Sequence, residues 1–182
     1  MGQSSSSANL LVDGYNVIGA WHVLQRTHQQ GGLEAARQAL IEALVGYSTY
    51  RGYETRVVFD AYGQNSPSAQ EQITPSLSVQ FTDFGQTADS YIERFCALFR
   101  QQPSARRKRL LVATSDRVQQ QTVTGYGAEW ISALQLEADV RFANTGIRRR
   151  QRGRMQSNSR YLMNTLDQEV KDKLMQLRFG LK

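Results

Sequence analysis

The chain is poor in the residues that most often carry covalent or soft-metal chemistry. Its 182 residues include one cysteine and two histidines. Cys96 alone can form neither an internal disulfide nor a multi-cysteine zinc site. With Ile92, Phe95 and Phe99 it shares one helical face of "YIERFCALF" and reads as a buried thiol. Its isolation fits a reducing compartment, the cytoplasm or an equivalent such as a plastid stroma. His22 and His28 stand six apart, offer no zinc-ligand spacing and read as surface positions. Three prolines and a charged fraction of 21% exclude a collagen-like or disordered polymer. No apolar run approaches the roughly 20 residues of a membrane span, so no membrane partner is expected. Glycine patterns are missing too. There is no G-x-x-x-x-G-K-[ST] loop and no G-x-G-x-x-G after the first strand, so no small-molecule cofactor is expected. No serine nucleophile elbow occurs, and Tyr62 stands where an aspartate-nucleophile phosphatase carries its second aspartate.

What is present begins with charge. Residues 1–105 hold six Lys/Arg against nine Asp/Glu, whereas residues 106–182 hold sixteen against seven. An acidic front joined to a basic back points to a polyanionic partner met by one part of the molecule.

Hydrophobic periodicity alternates between strand and helix. Strands are expected at 9–13, 55–61, 77–82, 109–114 and within 125–131. Helices are expected at 32–52, from Thr87 through about residue 102, at 117–123 and over 132–144, and a last one carries Leu162, Leu166, Val170, Leu174 and Leu177 on one face. Residues 65–76, rich in Ser, Pro and Gln, read as a loop. The alternation implies right-handed crossovers and a mainly parallel sheet in one α/β domain over 9–145. Residues 1–8 would be a flexible leader. Residues 146–182, a basic segment and the last helix, would be appended to that domain.

Carboxylates stand where such sheets concentrate function, at the carboxyl ends of strands. "LLVD" ends in Asp13, "VVFD" in Asp60 and "LLVATSD" in Asp116, while "QTADSYIE" places Asp89 and Glu93 in the first turns of a helix. Asp89 and Glu93 lie about 40° apart around a helix axis, so both can share its acidic edge. Each aspartate alone could be a turn or helix-cap residue. Together they need a cation, because carboxylates about 4 Å apart repel by roughly 4 kcal/mol at an effective dielectric near 20. A hard divalent ion accepts oxygen ligands and can neutralise charge developing on a phosphate.

In this order, "LLVDGYNVIGAW", "VVFDAYG", "VQFTDFGQTADSYIER" and "LLVATSDRVQQ" resemble the YacP-like branch of the NYN domains, relatives of the PIN and FLAP nucleases. The resemblance implies a PIN-like three-layer α/β/α sandwich with a central, mainly parallel sheet. It implies an Mg²⁺- or Mn²⁺-dependent centre that hydrolyses RNA phosphodiesters. Asp13, Asp89 and Asp116 match the acidic motif positions and would be the metal ligands. Asp60 and Glu93 would orient water or the outer shell. Asn16, the asparagine of the name-giving motif, would contact a carboxylate, water or phosphate. Bacterial members of the branch are similar to ribosome-associated mRNA endonucleases, which implies mRNA in the ribosomal A site as substrate.

Arg148, Arg149, Arg150, Arg152, Arg154 and Arg160 fall between Asp139 and Asp167 with no acidic residue among them. Guanidinium matches phosphate geometry, so this run is the expected RNA handle, the alternative being a solvated face. Arg106, Arg107, Lys108 and Arg109 form a second basic cluster. Tyr15 and Trp21, near the acidic edge, would either stack a base or pack in the core. Two other functions remain open at this point: a non-catalytic RNA- or ribosome-binding module that kept the fold, and a DNA-directed nuclease of the FLAP type.

Overall fold

The computed structural model describes residues 8–61, 69–102 and 108–165, and all their side chains except those of residue 150 and residues 152–165. It divides into two compact units, 1–144 and 145–182. In the first, six strands form one sheet: β1 (Ala8–Asp13), β2 (Tyr53–Phe59), β3 (Ala69–Thr74), β4 (Leu77–Phe81), β5 (Arg109–Ala113) and β6 (Glu129–Ile131), in the order β3-β4-β2-β1-β5-β6. Every pairing is parallel except β3 with β4.

The strands are apolar on both sides because both sides are covered. Leu10 and Val12 of β1 join Val57, Phe59, Leu111 and Ala113 in a cluster with Val17, Leu24, Leu40, Leu44 and Leu136. These come from α1 (Gly14–Ala20), α2 (His22–Arg51) and α5 (Ala133–Thr165). The alternate residues Leu11, Val58, Leu110 and Val112 face Ile92, Cys96, Phe99 and Val123 of α3 (Ala88–Gln101) and α4 (Arg117–Gly125). The expected three-layer α/β/α sandwich with a mainly parallel sheet is therefore present. Cys96 is fully buried there, and burial pushes its thiol up to about 12, which leaves it unreactive. Among the described residues no helix is long and apolar enough to cross a membrane.

Three boundaries differ from the periodicity reading. The expected loop at 65–76 contains β3, an edge strand whose residues are exposed or half-buried, so it lacks the apolar alternation that marks a strand. The helix expected from residue 32 does start at Gly32, but a further helical stretch from His22, which the periodicity reading left out, precedes it in α2. A break at Gly32 (φ 81°, ψ 178°) separates this first stretch, anchored by Leu24, from the amphipathic run that follows. Gly32 suits that break because L side chains rarely adopt positive φ. Finally, the helix expected to end at residue 144 continues to Thr165, so the backbone of the arginine segment is helical. Residues 1–7, Arg106 and Arg107, and Leu166, Val170, Leu174 and Leu177 of the last expected helix lie outside the described residues.

Candidate functional site

The chain leaves β1 toward β2 on one side and returns from β4 to β5 on the other. The carboxyl ends of β1 and β5 therefore flank a switch point, where crossover connections diverge and open a crevice. An open cleft of about 240 Å³ lies there, lined by Asp13, Tyr15, Asn16, Asp60, Thr87, Ala88, Asp89 and Asp116. Strand order explains the gathering: β2, β1 and β5 are neighbours, about 4.8 Å apart, and their ends deliver Asp60, Asp13 and Asp116 side by side. Asp89 arrives from above on the first turn of α3, which Thr87 starts by accepting from Ser90 N.

Each aspartate holds backbone or amide hydrogens with Oδ1. Asp13 accepts from Asn16 N at 3.2 Å and Asp116 from Val118 N and Gln119 N at 2.7 and 3.0 Å, capping α1 and α4. Asp60 accepts from Ala88 N and ties the end of β2 to the head of α3. Asp89 accepts from Gln119 Nε2 at 2.5 Å. Among the described residues, no Oδ2 of the four takes part in a hydrogen bond and none of the four carboxylates is in an ion pair. Capping by one oxygen and an unengaged second oxygen are thus compatible in one side chain.

Electrostatics follow from that crowding. Asp13 is 8% exposed, and burial, reinforced by Asp89, Asp60 and Asp116, pushes its carboxyl up to about 7, against the lowering pull of Asn16 N–H. Burial, then Asp116 and Asp60, raise Asp89 as well. Hard oxygen donors, with no neutralising side chain among the described residues of the lining, suit Mg²⁺ or Mn²⁺. Among the described residues, no three His, Cys, Asp or Glu side chains stand together in an arrangement ready to hold a metal ion.

The remaining candidate residues separate clearly. Asn16 lines the cleft, and its Oδ1 accepts from Ser115 N at 2.7 Å, pinning the β5–α4 turn. Glu93 lies outside the cleft lining. One turn along α3, about 6 Å further on, it accepts from Tyr126 Oη at 3.4 Å. Tyr15 forms a wall of the cleft, its ring 5.1 Å from that of Phe59 and its hydroxyl accepting from Arg37. Trp21 belongs to the core and donates to Ala133 O at 2.7 Å. His22 and His28 are exposed on α2. Lys108 and Arg109 pair with Glu54 and Glu129. Arg148 and Arg149 are exposed, and Arg150, Arg152, Arg154 and Arg160 follow on the helical backbone of the second unit.

Two features escaped periodicity. Gly14 is needed because a Cβ there would lie 2.2 Å from the Phe59 ring; the "DG" pair at a strand end was the visible hint. Gln119 touches two of the aspartates, and its hint was a polar residue one turn before Val123 on the buried face of α4.

Comparison with known proteins returns one consistent answer. The family model of the YacP-like NYN domain matches residues 10–179. The chain is 36% identical to "Uncharacterized protein YacP" of Bacillus subtilis (strain 168) over 143 residues, 79% of this chain and 81% of that protein. The crystal structure of Rae1 (YacP) from Bacillus subtilis superposes with a TM-score of 0.67 and 34% identity, covering 94% of each chain. The crystal structure of a point variant of Rae1 superposes with a TM-score of 0.68 and 31% identity, over 91% of this chain and 97% of the other.

Proposed function

Because the chain belongs to the YacP-like NYN domain family, we propose that it is an endoribonuclease that hydrolyses RNA phosphodiesters with Mg²⁺ or Mn²⁺, acting on mRNA in the ribosomal A site. One observation carries the reading: four aspartates from three adjacent strand ends and one helix line a cleft in which the described lining residues include no Lys, Arg or His.

Asp13, Asp89 and Asp116 would hold the cation through the oxygens not committed to Asn16, Gln119 and Val118. A bound Mg²⁺ or Mn²⁺ supplies activation of a water and stabilisation of charge developing on the phosphate. The protein's own part is to aim the carboxylates. Asp60 keeps the head of α3 over the strand ends through Ala88 N–H. Asn16 spends its carbonyl on the 114–116 turn, which leaves its Nδ2 donor for a phosphate oxygen or water. Tyr15, fixed between Phe59 and Arg37, walls the cleft and limits how a nucleotide enters.

Substrate affinity would come from the arginine run. If four guanidinium groups reach phosphates of single-stranded RNA, log K falls against log salt with a slope near −3. Replacing Arg148 and Arg149 by Ser should make that slope shallower by about 1.4, measured by RNA binding between 50 and 200 mM salt.

Cleavage of a defined RNA by the wild type and by Asp13→Asn, with Mn²⁺ or Mg²⁺ added or chelated, tests the chemistry. We expect the wild type to need the metal and the variant to lose at least about 100-fold in rate. Equal cutting by both proteins rejects catalysis at this cleft. Comparing the same mRNA free and on translating ribosomes tests the narrower substrate, and competition with the matched DNA strand tests the preference for RNA.

A further inference from the structure

Gln119 occupies a position that the packing of α4 reserves for an apolar side chain. It lies one turn before Val123 on the buried face of the helix and is itself 5% exposed. Yet it is an amide, and half of that amide is wasted. Nε2 donates to Asp89 Oδ1 at 2.5 Å, while Oε1 is buried without any hydrogen-bond partner. Turning the amide over would not relieve this: it would set a carbonyl oxygen against the Asp89 carboxylate and leave an N–H unpaired instead. A buried polar atom without a partner destabilises a fold, and an apolar side chain of similar shape removes that penalty.

The same residue joins the two helices that bring carboxylates to the cleft. Its backbone N–H donates to Asp116 Oδ1 at 3.0 Å, and its side chain reaches across to α3. Among the described residues, the Gln119 amide is the hydrogen-bond donor that Asp89 has. Asp89 is exposed and stands on the first turn of its helix, so without that bond its rotamer would be free to turn toward solvent.

We propose that Gln119 is a positioning residue of the acidic centre: its side-chain amide holds Asp89 on α3 while its backbone N–H holds Asp116 at the head of α4, so that the residue sets the separation of the two carboxylates and weakens the fold in which it sits. The inference rests on the metal-dependent reading above and assigns Gln119 no contact with substrate or ion. A polar residue that violates the local packing pattern while organising a site is where stability and function diverge.

The test compares the full-length wild type with Gln119→Met, which keeps the side-chain length, and Gln119→Leu, which keeps its approximate volume. Thermal unfolding is followed without metal, Mn²⁺ affinity by calorimetry, and RNA cleavage across a Mn²⁺ titration. Both variants should melt at or above the wild-type temperature in the absence of metal. Their Mn²⁺ affinity should weaken 10- to 100-fold, the loss usual when an outer partner of a metal ligand is removed. The Mn²⁺ concentration for half-maximal cleavage should rise by the same factor. A lower melting temperature in both variants would make Gln119 a structural contact and overturn the proposal, as would unchanged Mn²⁺ affinity in variants that fold. A wild type that binds no Mn²⁺ would reject the metal-dependent reading and this inference with it. A wild type that binds and variants that bind equally would reject this inference alone.

Discussion

At the amino ends of β2 and β5, charges meet their opposites. Lys108 lies 3.8 Å from Glu54, and Arg109 grips Glu129 through two nitrogens, holding the Glu129 carboxyl below its ordinary range. At the carboxyl ends of the same strands, Asp60 and Asp116 stand beside Asp13 and Asp89, with no Lys, Arg or His among the described residues that line the cleft. The first arrangement neutralises itself and is exposed, so it adds little to stability or to binding. The second leaves repulsion unrelieved in a partly buried place, which a fold selected for stability alone would not keep. Uncompensated charge therefore marks the working end of the sheet better than the amount of charge does.

The sharpest way to break this contrast is to remove the buried member of the acidic end. Asp13 has its folded pKa raised to about 7, well above the unfolded value of 3.8. Between these values the folded state binds the extra proton, so stability of the metal-free protein falls as pH rises from about 4 to about 7. The loss is at most roughly 4 kcal/mol and levels off above that window. Asp13→Asn should flatten this pH dependence and melt higher than the wild type at pH 7, even as cleavage is lost. Parallel pH–melting curves for the two proteins would sink the idea that Asp13 is the strained member.

A smaller effect is expected from the turn that carries Asp13. Gly14→Ala would force the Phe59 ring aside, and overpacking of this kind destabilises by about 1–3 kcal/mol. Chemical denaturation measures it, and a variant as stable as the wild type would show that the ring yields freely.

The smallest effect belongs to the neutralised end. Glu129→Gln breaks an ion pair whose partners are about half exposed and should change stability by less than about 1 kcal/mol, with cleavage unaltered. A large loss of activity there would erase the distinction between the two ends.

Much of this layout was legible beforehand because the signals are local. Runs such as "LLV" and "VVF" announce two-sided burial, and an aspartate at the end of each is visible in one line of text. The edge strand β3 was not legible, since its polar residues reach the sheet through backbone pairing with β4 rather than through a buried face. Helical continuation through the arginine segment was hidden as well, because that stretch lacks an apolar stripe to reveal its period.

The order of residues by itself determined that strands would carry carboxylates to their ends, that Cys96 would be inert, and that positive charge would collect late in the chain. These follow from composition and from spacings of a few residues, which chemistry near in sequence decides. Only tertiary structure decided that β2, β1 and β5 are neighbours, that Glu93 turns to Tyr126 while Asp89 overlooks the cleft, and that Gln119 is half satisfied between two acids. Those outcomes depend on which elements pack together across the sheet, and no periodicity within one element encodes its partner in another.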